Sequence, residues 1–103
     1  MTVSHTSYQT LPFPDQVTLV LAHFADIGHA VLNADKFKSD VSADRGRAMQ
    51  RAKVTGIATK TAQSIPAAIV SDYPRFLGYV IFERAFLAHL KALDAVRTVN
   101  AME

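Results

Sequence analysis

The sequence predicts an all-α fold: a small bundle of three main helices, over about residues 15–38, 44–64 and 73–99, plus a short helical turn at 66–71. Three observations carry this. Apolar residues recur at intervals of three and four instead of alternating, which is helical spacing. Prolines fall at 12, 14, 66 and 74, where they suit the starts and stops of helices and would break their interiors. The last third, residues 73–99, reads YPRFLGYVIFERAFLAHLKALDAVRTV and holds more apolar and aromatic side chains than one helix face can hide.

At 103 residues the chain is one domain in size, and with 50% hydrophobic and 19% charged residues it belongs with globular sequences. Residues 1–11 are polar and aperiodic, an arm that is ordered where it lies on something else; the domain proper is 12–103. The string Leu11-Pro12-Phe13-Pro14-Asp15 sets an extended entry, because a residue before proline avoids the helical region, and Asp15 suits the positive end of the first helix. Val17, Val20, Leu21, Phe24, Ile27, Val31 and Ala34 then form a core stripe, within which Gly28 costs about 1 kcal/mol relative to alanine. Lys38-Ser39-Asp40-Val41-Ser42-Ala43-Asp44, rich in capping residues, is the expected connection. Against it, helical spacing continues through Phe37 and Val41, so the first two helices can also be drawn as one long bent rod. In the second helix Ala48, Ala52, Gly56 and Thr59 share a face whose small side chains admit close approach of another helix. Ile65-Pro66 ends it, and Ser71 or Asp72 caps the third helix.

On a helical wheel the third helix divides into two arcs. Leu77, Ile81, Ala85, Ala88, Ala92 and Val99 read as the core face. Tyr79, Phe82, Phe86, Leu90 and Leu93 read as a second, surplus stripe: either the helix is the centre of the bundle and helices one and two surround it, or this stripe is the expected protein interface, since aromatic residues concentrate at interface hot spots. Glu83, Arg84, Lys91, Asp94 and Thr98 mark the wet side. A small domain without cysteine gains stability from association, so a homodimer is the expected state.

Enzyme chemistry finds little support. No Gly-rich phosphate loop, nucleophile elbow or metalloprotease pair of histidines occurs, so no catalytic residue and no cofactor is expected. His23, Asp26 and His29 stand three apart, but His23 and His29 diverge around the helix and no third or fourth ligand joins them; no metal is expected. Zero cysteines exclude thiolate sites and fit a reducing compartment. The opening MTVSHTSYQT has neither the basic start nor the apolar run of a secretory signal, and the apolar stretches 17–34 and 76–93 are interrupted by charged and histidine side chains, so the cytoplasm is the expected place and no membrane partner is expected. Residues 1–44 carry a net −3 and residues 45–75 a net +5. Arg45, Arg47, Arg51, Lys53 and Lys60 form a possible basic patch, the basis of an alternative reading as a small DNA-binding protein. They spread around the helix and leave no single groove-facing stripe, so nucleic acid is the less expected partner.

The length, the Leu-Pro-Phe-Pro-Asp entry at 11–15, the Ile65-Pro66 break and the apolar, aromatic last helix together resemble the QslA-like proteins, small helical anti-activators of quorum-sensing regulators. The resemblance implies a partner of the LuxR type of transcription factor, bound on its ligand-binding domain so that its dimerisation is prevented. The expected function is therefore that of a non-enzymatic regulator of transcription that works by protein–protein binding.

Overall fold

The computed structural model describes residues 3–102, with side chains placed for 3–99. Met1, Thr2 and Glu103, the ends of the expected arm and domain, lie outside the described residues. Within them the class is all-α: α1 (His5–Gln9), α2 (Phe13–Asp26), α3 (Ala34–Val54), a 3-10 turn (Ala62–Ser64), α4 (Ala67–Val70) and α5 (Pro74–Met102).

The arm is itself a helix. Ser4 opens α1 with a capping box: its hydroxyl accepts from the Ser7 amide at 3.0 Å, and the Ser4 amide donates to the Ser7 hydroxyl at 2.9 Å. A single turn of this kind is unstable alone; Tyr8, buried to 1% exposure, holds it on α5. Pro12 precedes α2 and Pro14 sits in its first turn, where a missing amide costs nothing. Val17, Val20, Leu21 and Phe24 are buried along α2, as their spacing predicts.

The first two main helices end and begin elsewhere than expected. α2 stops at Asp26, not near residue 38, because Gly28 adopts φ +93 and closes the helix: its amide donates to Ala25 O (3.1 Å) and the His29 amide to Phe24 O (2.7 Å). α3 then starts from Asn33, whose side chain accepts from the Lys36 amide at 3.3 Å, and runs straight through the expected connection at 38–44. The helical spacing through Phe37 and Val41 is the signal the chain follows there, while Gly28 rules out a continuous rod. α3 ends ten residues before the expected 64, by the same device. Gly56, at φ +82, donates to Lys53 O (3.0 Å), and the Ile57 amide donates to Ala52 O (2.9 Å). Ala48 and Ala52, fully buried, keep the place of the small-residue face; Gly56 and Thr59 lie beyond the helix.

α5, 29 residues and therefore about 43 Å long, is the axis of the molecule, whose extents are 50 × 33 × 20 Å. α3 is its main neighbour, with α2 beside it and the short α1 and α4 covering its flanks. The orientation of α5 reverses the two arcs of the wheel. Tyr79, Phe86 and Leu90 are buried, with Phe82 and Leu93 half-buried, so the expected interface stripe is core. Leu77, Ile81, Ala85, Ala88, Ala92 and Val99, the expected core face, are exposed. Glu83, placed on the wet side, is 3% exposed, alongside buried Phe76, Val80 and Leu87. The cause is a matter of area. Burying an aromatic or leucine side chain is worth about 1.5–3 kcal/mol, and burying an alanine methyl far less, so the arc with the larger side chains turns inward.

Candidate functional site

The outward face of α5 is the candidate site. Leu77, Ile81, Ala85, Ala88, Ala92, Val96 and Val99 follow at intervals of four, four, three, four, four and three, and draw a straight apolar strip about 33 Å long. Ile81, Val96 and Val99 are 58%, 56% and 56% exposed. Single exposed apolar residues are ordinary, but a continuous strip of them on one helix is not. Arg84 and Lys91 border one side and are exposed; the α5 acids Glu83 and Asp94 are turned to the protein side, where Asp94 accepts from the His5 amide at 3.0 Å and from Arg97 at 3.1 Å. A cavity of about 70 Å³ opens beside Leu77, Ile81 and Arg84, walled by Ala62, Ile65 and Ala67.

Behind this strip α5 is held in place by a buried polar cluster. Glu83 Oε2 accepts from Tyr8 Oη at 2.5 Å and from Tyr79 Oη at 3.0 Å, and the two phenol oxygens are 2.8 Å apart. Burial above all, reinforced by the Glu83 carboxylate, pushes both phenols far above their ordinary range, so they serve as proton donors. Phe86 meets the Tyr8 ring edge-on at 5.4 Å, Phe13 meets Tyr79 at 5.3 Å, and the Arg45 guanidinium stands 4.3 Å over Phe13. Tyr8, Tyr79 and Glu83 are all buried.

On the α2 side of α5 an open cleft of about 230 Å³ is lined by Leu19, His23, Asp26, Phe86, His89 and Arg97. His23 is half-buried with its ring 4.6 Å from that of His89, while Asp26 and His29 are exposed and His29 lies beyond the end of α2, past Gly28. Among the described residues, no group of three metal-capable side chains comes together.

The possible basic patch is dispersed. Arg45 is turned inward over Phe13, Arg47 pairs with Asp44 at 2.5 Å, and Arg51 pairs with Asp72. Lys53 and Lys60 remain exposed at the rim of an open depression with Met49 and Ile57. Of the residues named from sequence, the aromatic stripe is brought together, but as the inside of the bundle. The exposed strip was visible as an arc of the wheel, and Val96 extends it. What sequence could not supply was the α1 helix, whose Tyr8 covers the side the aromatics face. Compared with known protein families, curated proteins and solved structures, the chain matches none of them.

Proposed function

We propose that this protein is a non-enzymatic regulator that works by protein–protein binding, with the outward face of α5 as its docking surface. The observation that supports this is the strip from Leu77 to Val99: about six turns of one helix with exposed apolar side chains, which among the described residues the 3-10 turn and α4 flank only at the Leu77–Ile81 end. A helix laid along another in this way is a common mode of recognition, read through anchors three and four residues apart. The form implied by the resemblance, an anti-activator that covers the surface through which a transcription factor dimerises, would use this face. Ala88 lies at its middle and is exposed, so Ala88→Glu adds a charge to the face in a residue type that favours helix. Wild-type and Ala88→Glu chains serve as baits in the same lysate, and a captured protein is then reconstituted from purified components. The expected result is a partner whose affinity falls at least tenfold with Ala88→Glu. Equal affinity for both chains would remove α5 from the account.

A further inference from the structure

We infer that the occupant of the α5 strip is a second copy of this chain, packed antiparallel across a two-fold axis at Ala88. This rests on the strip being a docking face and goes beyond it by naming what docks. The reason is that side-chain size along the strip is symmetric about Ala88 to within one residue of register. Counting outward from Ala88 it reads Ala85 and Ala92, then Ile81 and Val96, then Leu77 and Val99. In an antiparallel pair centred on Ala88, Ala85 of one copy lies level with Ala92 of the other, Ile81 with Val96, and Leu77 with Val99. Small residues meet in the middle and branched ones at both ends, in both halves at once, which is the self-complementarity a two-fold interface requires. A parallel pair would instead set Ile81 against Ile81 and Val96 against Val96, with no use for the symmetry of the pattern.

The middle of the strip is alanine, so the axes can approach to about 8 Å, the close end of helix packing. The half-buried Phe82 and Leu93 come level with each other on one border, so the apolar surface that each protomer leaves partly open meets its counterpart. Val99 arrives beside Leu77, at the mouth of the cavity of about 70 Å³. Two helices in contact over about 33 Å bury on the order of 1,000 Å² in all, at the lower edge of specific interfaces, which makes the dimer reversible and leaves the face open to exchange.

The other border fixes the sign of the salt effect. In an antiparallel pair the same border of each helix meets, so Arg84 of one copy faces Lys91 of the other, twice, and no α5 carboxylate is on that side. Salt screens this repulsion. The dimer therefore tightens as salt rises, the opposite of what a basic face docked on an acidic partner would do.

The chain has no cysteine, so introduced ones report contacts without background. Ala88→Cys is expected to form a disulfide dimer with itself. Ile81→Cys alone is expected to stay uncrosslinked, and a mixture of Ile81→Cys and Val96→Cys to give the mixed dimer. Sedimentation equilibrium of the wild-type chain is expected to show twice the chain mass, with dissociation weakened severalfold by raised salt and an Arg84→Glu chain dimerising more tightly than wild type at low salt. Crosslinking of Ile81→Cys with itself, or dissociation promoted by salt, overturns the antiparallel pairing. A monomer at all concentrations whose reconstituted partner is still lost with Ala88→Glu overturns the dimer and leaves the docking face standing. A monomer whose partner binding ignores Ala88→Glu overturns both.

Discussion

Two single residues carry consequences out of proportion to their size. Tyr8 brings a hydroxyl to the buried Glu83 carboxylate and a ring to Phe86, and through it a five-residue helix is tied to α5. Tyr8→Phe keeps the ring and removes the donor, leaving a buried carboxylate with one partner fewer. The expected loss is about 1–3 kcal/mol of unfolding free energy in urea, with helix content unchanged at zero denaturant; an unchanged midpoint would mean the cluster holds nothing. His23 is held below its ordinary value of 6.5, first by burial and then by His89, with Asp26 pulling the other way. A base kept neutral by the fold binds fewer protons than in the unfolded chain. Its contribution is therefore complete above 6.5 and is lost as pH falls through that value toward the folded one. His89 faces it from α5, where Arg97 and Asp94 also lie, and Asp26 shares its own helix. The melting temperature should drop between about pH 7.5 and pH 5.5, and the drop should be smaller in His23→Gln. An equal drop in both chains would place the acid sensitivity elsewhere.

At the scale of elements, the same glycine chemistry sets two of the three boundaries that sequence misplaced, the ends of α2 and α3. Gly28 and Gly56 both stand just past a helix end with positive φ, and each closes the same pair of backbone hydrogen bonds. Gly46, inside α3 with nothing near an added methyl, is a glycine of another kind. Gly56→Ala is expected to cost about 1 kcal/mol and Gly46→Ala to add about 0.5–1 kcal/mol, measured by thermal or urea unfolding. The same sign for both would contradict the capping role. These boundaries were legible in part. A glycine after an apolar run is a stop signal, but Val31 and Ala34 continued the spacing past Gly28, and the capping residues of 38–44 offered a rival break. Ser39, Asp40 and Ser42 prove to be interior helix residues, tolerated because they keep some exposure and because Asp40 pairs with Lys36 at 3.0 Å. The stripe of α2, the turn at 66–71 and the start of α5 were readable because proline and periodicity agree there.

For the whole molecule, the wheel of α5 showed that two apolar arcs exist and not which one the other helices cover. That choice depends on long-range packing: α2, α3 and the unforeseen α1 converge on the side where aromatic area is greatest. The outward strip follows from it, with alanines at its centre and branched residues at its ends. A docking strip around Ala88 and a core aromatic arc are separated by one paired measurement: molar mass by light scattering together with thermal unfolding by far-ultraviolet circular dichroism, for Ala88→Glu and Phe86→Asp. A buried phenylalanine replaced by a charge is expected to cost several kcal/mol, so Phe86→Asp should lose its cooperative transition. Ala88→Glu should keep a cooperative helical transition but run as a monomer where the wild type is a dimer. A folded Phe86→Asp chain that has lost only its association, beside an Ala88→Glu chain that associates like wild type, would contradict the account.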